Sequence, residues 1–497
     1  MKETLIDIET YSEVDIGKCG LYRYATDPSF EILLVAWATD EGDGFGETRC
    51  ADLASGEPLP EELLEDFKSG NVRLIAHNAS FERVCFSVHL QRHLPGQYLK
   101  PGEFLSPDSW ICTMVMAASL TLPMALKDVG TVLKTSQQKD KEGERLIRMF
   151  SMPCKPTKSN GMRTRNLPEH YPADWEKFKY YCIQDVNTEV DIYKRLKKFP
   201  MPEHYRVNER INDRGVKIDT ELVQQAIACD LMLSDAMSKK AYELTGLENP
   251  NSVSQLKSWL DERGIPMDTL GKKDVAQMIA ELDKNGVDAE AMDMLKLRLQ
   301  MAKSSVKKYQ AAERCVCSDG RARGLFQFYG ASRTGRYSGR NIQLQNLPQN
   351  HISTLDEARE LVKLGCFDMV ETIYGNTPDV LSQLIRTMLI PKEGCEFIVA
   401  DFSAIEARVL AWEAGEEWRL EAFLEGKDIY CASASQMFHV PVVKHGINGE
   451  LRQKGKVAEL ACGYGGSSGA LISMGALQMG LKEEELPEII DSWREAN

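Results

Sequence analysis

Long apolar runs are missing from this chain of 497 residues, and no stretch approaches the roughly 20 residues that a membrane-spanning helix needs. The first residues, Met1 to Asp7, place acids where a secretory leader requires an uninterrupted apolar core, so a cytoplasmic protein is expected. CxxC spacings are missing too. The 13 cysteines are scattered from Cys19 to Cys462, and the closest pair, Cys315 and Cys317, lacks the partner set of a zinc site. Reduced thiols used as small buried residues are expected, including Cys182 and Cys462. Positive charge is short overall, with a formal net charge of −14, which taken alone argues against a polyanionic partner. Internal repeats and low-complexity tracts are absent.

What is present is ordinary in bulk and uneven in detail. Hydrophobic residues make up 43% and charged residues 27%, which suits a soluble chain of two to four domains. The basic residues are clustered. Residues 139–165 hold eight Lys or Arg against three acids, and residues 301–340 hold nine against two. Both stretches adjoin candidate catalytic motifs, so phosphate contacts are expected from some of them.

The first part of the chain alternates strand-like runs (5–8, 30–38, 73–76) with helical segments (125–134, 175–194), an α/β pattern. Pro200 and Pro202 punctuate its end. Residues 205–312 read as mainly helical, with one long helix over 295–312 carrying Lys303, Lys307 and Lys308. A second α/β region begins near Gly324, with strands expected at 325–329 and 396–400.

Asp7 and Glu9 stand two apart inside an apolar strand, so the period of two puts both carboxylates on one face. Two acids on one strand repel unless a cation lies between them. Further along come Asn78, Phe81 and Glu82 after another strand, and Tyr181 and Asp185 one turn apart on a helix. In the last third, Arg333 and Arg336 flank a Thr-Gly turn that runs on to Gln345 and Asn346. Asp401 ends an apolar run and is followed by Glu406 and Arg408. Arg452, Lys456, Leu460 and Tyr464 recur every four residues, a helical stripe of two cations and an aromatic suited to a triphosphate and a base.

In this order the later motifs resemble the primer-gripping, metal-binding and nucleotide-binding elements of family A DNA polymerases of phage or prophage type. The earlier ones resemble the three motifs of 3′–5′ proofreading exonucleases with a ribonuclease H-like fold. The resemblance implies a multidomain α/β chain: an exonuclease region over 1–198, a helical thumb-like region over 199–320, a partial palm over 321–412 and partial fingers over 413–497. It implies Mg2+ or Mn2+, two ions per active site, held by Asp7, Glu9, Glu82 and Asp185 in one site and by Asp401 in the other. Tyr181 would orient the attacking water, while Asn78 and Phe81 would position a single-stranded 3′ end. Arg452 and Lys456 would hold a deoxynucleoside triphosphate, with Lys456 a proton donor to pyrophosphate. Glu406 would close against the ribose, and Leu460 and Tyr464 would lie by the incoming nucleotide. Lys303, Lys307, Arg333, Arg336, Gln345, Asn346 and Arg408 would contact primer–template DNA. Glu82 stands where the exonuclease motif more often carries aspartate, and Leu460 where the polymerase helix more often carries an aromatic residue.

Such an enzyme needs one more carboxylate motif after the nucleotide-binding helix, and residues 481–497 read instead as an acidic helix. The expectation is a truncated polymerase half, weak in synthesis by itself, beside an intact exonuclease. An exonuclease alone, or a non-catalytic primer–template DNA-binding protein, are the other open readings. A single-subunit RNA polymerase is disfavoured by Glu406 and the exonuclease motifs.

Overall fold

The computed structural model describes residues 1–135, 142–285, 288–301, 306–331, 334–477, 479 and 481–497. Lys303 and Arg333 lie outside the described residues, as do Lys139 and Lys141. The chain divides into two compact units, Met1–Cys395 and Glu396–Asn497. Among the described residues no helix is long and apolar enough to cross a membrane.

The first unit is built on five strands: β1 (Lys2–Tyr11), β2 (Glu31–Asp40), β3 (Arg49–Asp52), β4 (Val72–Ala76) and β5 (Trp110–Cys112). Their order is β3-β2-β1-β4-β5. The β1–β2 and β2–β3 pairs are antiparallel, while β1–β4 and β4–β5 are parallel, which makes a mixed sheet. Apolar residues stand at both parities of β1, so both faces of the sheet are covered. Ile6 and Ile8 enter one core with Phe86 of helix α1 (Ser80–His93). Leu5 and Tyr11 enter another with helices α2 (Glu142–Phe150) and α3 (Pro172–Leu196), through Phe150, Phe178, Cys182 and Val186. The period of two therefore puts Asp7 and Glu9 on the α3 side. The β1–β2 register shifts between Glu9 and Thr10, a bulge of the sort that re-aims side chains beside functional sites. Pro172 opens α3, where its fixed φ suits the first turn. Trp175 Nε1 donates to Asp52 Oδ2 at 2.7 Å, tying the helix to the end of β3.

Beyond the prolines, helix α4 (His204–Arg214) is anchored by a buried charge network. Arg83 of α1 donates to Glu209 at 2.9 Å and to both oxygens of Asp213 at 2.8 and 2.9 Å. A helical region follows, in which α5 (Thr220–Thr245), capped by Asp219, packs on α6 (Lys307–Cys315). Of the helix expected over 295–312, helix Ala289–Met301 and α6 are described, and residues 302–305 between them lie outside the described residues. Strands β6 (Val216–Ile218) and β7 (Arg321–Ala322) pair closely at Gly215, where φ is +57° and a Cβ would meet Ala322 O at 2.3 Å. A hairpin of β8 (Phe326–Ala331) and β9 (Arg336–Gly339) follows, and β10 (Leu389–Ile390) joins the other edge of β6.

The second unit is helical: α7 (Ile405–Ala414), α8 (Glu417–Leu424), α9 (Ile429–Phe438), α10 (Leu451–Cys462) and α11 (Leu486–Ala496). Helices α9 and α10 approach closely at Gly455, where a Cβ would meet Tyr430 O at 2.3 Å. Val457 and Ala461 of α10 pack with Leu486 and Ile490 of α11. Arg419 is 2% exposed and bridges α8 to α10 through Glu459 at 2.5 Å. The strand expected at 396–400 does not form: a strand exists only through ladder partners, and among the described residues none pairs with this segment. Ile398 and Val399 stay about nine-tenths exposed, at 91% and 90%.

Candidate functional site

The first unit gathers acids in a dry place. Glu9, Glu82 and Asp185 are buried and Asp7 is half-buried. Glu82 sits in the first turn of α1, where the helix dipole favours a negative charge. Burial nevertheless pushes its carboxyl well above the ordinary range, and the charges of Asp7, Glu189 and Glu9 push the same way. Tyr181 is buried over the same centre. Burial, then the charges of Asp185, Glu9 and Asp7, hold its phenol protonated far above its usual range. Gly143 of α2 leaves the room for that ring: a Cβ there would meet Tyr181 Cε2 at 2.0 Å.

Sequence reasoning missed three contributors. Glu189 lies one turn beyond Asp185 on α3 and is 1% exposed. Burial raises its carboxyl well above the usual range, and the Asp7 and Asp185 charges add to this. Thr113 donates to Glu189 at 2.8 Å and stands 3.0 Å from His77 Nδ1, so His77, next to Asn78, is braced to the same helix. Cys182 is buried as expected, yet its Sγ also lies 3.6 Å from Asp7 Oδ2 as a thiol donor. The signal for Glu189 was its i+4 spacing from Asp185, visible only once that face of α3 is known to meet β1.

Glu82 Oε2 and Glu189 Oε2 are buried without a hydrogen-bond partner. Among the described residues no three His, Cys, Asp or Glu side chains close into a metal cage. An all-oxygen donor set with orphaned buried oxygens suits a hard divalent ion. Beside Glu9 opens a cavity of about 270 Å³ walled by Tyr24, Phe81, Ile147 and Met152. Asn78 holds a left-handed φ of +77°, which asparagine tolerates, and its carbonyl accepts from Phe81 N at 2.7 Å.

The other residues expected at DNA in this unit lie on its surface. Arg336 is exposed on β9, and Lys307 is exposed on α6. Gln345 and Asn346 are exposed in a short 3-10 turn, with Gln345 against Gly339, where a Cβ would meet its Oε1 at 2.0 Å. Several of the clustered cations are spent internally. Arg145 binds Asp174 at 2.7 Å, Arg165 binds Glu31 at 2.6 Å, and Lys308 donates to Ile342 O at 2.8 Å.

In the second unit the environment is open. Asp401 is exposed. Arg408 donates to Ser403 O at 2.8 Å and lies over the Phe423 ring at 4.2 Å. Tyr464 OH donates to Glu406, which brings those two together. Helix α10 ends at Cys462, so Tyr464 stands just past the helix rather than on it, 65% exposed before Gly465 at φ +71°. Leu460 is 39% exposed. Arg452 is held by Asp428 at 2.8 and 3.0 Å and lies over Tyr430 at 5.1 Å. Asp428, which sequence reasoning missed, also caps α9 by accepting from Tyr430 N and Cys431 N. Among the described residues Lys456 has no ion-pair partner.

A family model described as DNA polymerase family A matches residues 224–496. The DNA polymerase of Bacillus phage SP02 is 53% identical over 501 residues, covering 100% of this chain and 74% of that protein. DNA polymerase I of Geobacillus stearothermophilus is 27% identical over 283 residues, which is 56% of this chain and 28% of that protein. A solved structure of the POL domain of Pol1 from M. smegmatis, in complex with DNA primer-template and dNTP, shares the fold. Its TM-score is 0.58 at 18% identity, covering 100% of this chain and 72% of that one. The chain belongs to DNA polymerase family A.

Proposed function

We propose that this family A DNA polymerase also trims DNA from its 3′ end at the acids gathered around β1 and α3. The observation that carries the reading is the burial of Glu9, Glu82 and Asp185 beside Asp7, with Glu82 Oε2 left without a hydrogen-bond partner. Buried like charges at such close quarters are tolerated only if some stay protonated or a cation joins them. Asp7, Glu9, Glu82 and Asp185 would hold Mg2+ or Mn2+, two ions by the resemblance. Bound there, the ions supply Lewis-acid activation of water and offset charge on the phosphate.

The chain's own groups do the remaining work. Tyr181, kept protonated, serves as a hydrogen-bond donor that orients water, not as a base. Phe81 and Tyr24 offer faces for an unpaired base in the cavity beside Glu9. Asn78, fixed through Phe81, faces the strand end. The longer Glu82 reaches where aspartate is commoner, and the bracing of His77 through Thr113 to Glu189 keeps that loop in place.

The polymerase reading places Asp401 at the catalytic metal ions, and Arg452 and Lys456 on the triphosphate of a deoxynucleotide. Asp428 pre-sets Arg452, and the Tyr464–Glu406 contact pre-sets the residue that meets the ribose. Arg336, Gln345 and Asn346 face primer–template DNA. The four regions 1–198, 199–320, 321–412 and 413–497 belong to the same reading, and the family match beginning at residue 224 supports a separate N-terminal region.

A 5′-labelled primer–template with Mg2+, with and without deoxynucleotides, tests this. Shortening that disappears in Asp7→Ala/Glu9→Ala is expected, and any extension should disappear in Asp401→Ala. Equal shortening in the double variant would sink the exonuclease reading. No shortening in either protein would leave DNA binding alone for this centre.

A further inference from the structure

A second cavity, of about 640 Å³, lies in the first unit. Ile16 and Phe81 line both this cavity and the smaller one, so the two are neighbours. The volume falls within the roughly 300–1,000 Å³ typical of ligand sites. Its lining is unusual for an empty gap. Tyr205 and Phe328 meet edge to face there, with ring centroids 6.1 Å apart. Among the described residues, Arg314 and Arg340 in the lining have no ion-pair partner.

The informative group is Asn208, which lines the cavity and is 2% exposed. Its Nδ2 donates to Glu209 Oε1 at 3.0 Å, and Glu209 is itself held by Arg83 at 2.9 Å. A carboxylate can only accept from an amide, so this contact sets which way the amide faces. Asn208 Oδ1 is left buried without a donor. Gln327, in the same lining, also has a buried Oε1 with no donor. A buried acceptor without a donor is costly unless a ligand supplies one.

We infer that this cavity holds one unpaired nucleobase of a DNA 3′ strand, upstream of the base beside Glu9, and that it prefers bases with an exocyclic amine over thymine. The aromatic pair offers stacking, and Arg314 and Arg340 suit the backbone phosphates. The two orphaned acceptors supply the selectivity. An exocyclic amine carries two N–H groups and can serve both, whereas thymine has one imino N–H flanked by two carbonyls that would oppose them. A free nucleotide shares this chemistry. The shared Ile16–Phe81 wall favours a strand running from one cavity to the next. The position of this site relative to the strand end rests on the exonuclease reading; its base preference does not.

The test is equilibrium binding in EDTA by anisotropy, using the full chain with Asp7→Ala/Glu9→Ala and 5′-labelled oligo(dT) carrying one A, C or G at each of the last four positions. One position should bind about five- to tenfold tighter with A, C or G than with T. Asn208→Leu and Gln327→Met should each flatten that preference while overall oligonucleotide binding persists. If Asn208→Leu fails to fold by circular dichroism, Gln327→Met decides. Equal affinity across bases, or a preference unchanged in the variants, overturns the inference. Competition by dAMP as strong as by the oligonucleotide assigns the site to a free nucleotide and overturns the strand path. Since binding is read without cleavage, a failed shortening assay leaves this result standing.

Discussion

The two units of this polymerase keep their functional acids in opposite surroundings. In the first, Glu9, Glu82, Asp185 and Glu189 are all buried, and burial together with the Asp7 charge pushes both Glu82 and Glu189 upward. In the second, Asp401 is exposed and Arg452 meets Asp428 with both side chains about a quarter exposed, at 23% and 27%. Desolvation is what separates them. The same charges that interact strongly in a dry interior are screened at a surface. The buried centre is organised by its scaffold before any ligand arrives. The exposed one gets its order from short local contacts, such as the aspartate that caps α9 and holds Arg452.

The largest expected effect breaks the buried side of that comparison. Asp7→Ala/Glu9→Ala should lower 3′ shortening by at least about a hundredfold, read on the labelled-primer gel, because it removes both strand-borne ligands. A loss of only a few-fold would mean that the cluster is structural.

Next come two buried arginines, one per unit, each paired with two carboxylates. Arg83→Met strands Glu209 and Asp213, and Arg419→Met strands Glu416 and Glu459. Each should cost about 3–5 kcal/mol in chemical or thermal unfolding, since each leaves an unpaired buried carboxylate. Similar losses would show that both units rely on such pairs for stability, and that the contrast concerns their functional acids alone.

Burial in the first unit extends to a histidine. His89, stacked on His93 with centroids 4.4 Å apart, is pushed down to about 4 by burial and then by the charges of His93 and Arg92. Its folded form binds its proton below the ordinary 6.5, so the unfolded chain takes up more protons between those values. Stability contributed by neutral His89 is therefore present above pH about 6.5 and falls as pH drops toward 4, by up to about 1.4 kcal/mol per unit. Melting curves of His89→Leu should lose that part of the slope, and an unchanged slope would refute the assignment.

The smallest effect belongs to the exposed pair. Asp428→Asn should change stability by no more than about 1 kcal/mol. It should nonetheless alter deoxynucleotide affinity several-fold in extension assays by freeing Arg452. A large unfolding penalty would place Asp428 with the buried pairs instead.

The sequence made much of the first unit legible. The runs at 5–8, 30–38 and 73–76 were recognisable because alternation and β-branched residues favour strands wherever partners exist, and they lie in β1, β2 and β4. The same logic failed at 396–400, an apolar run with no pairing partner among the described residues. The helical period over 295–312 was legible at both of its ends, which lie in helix Ala289–Met301 and in α6. Asp7 and Glu9 could be read as one face of a strand, but Glu189, Thr113 and Asn208 could not be singled out. Each is an unremarkable polar residue on its own element, and its role arises from what packs opposite.

By itself, then, the sequence determined the local periods, the residue types at the motif positions and membership in the polymerase family. The tertiary structure decided which of these charges are dry. It set Glu82 and Glu189 against Asp7, bound Arg452 to Asp428, and left Asn208 Oδ1 buried beside an open cavity. The reason is physical: periodicity is a property of neighbouring residues, whereas desolvation depends on every element that covers a group.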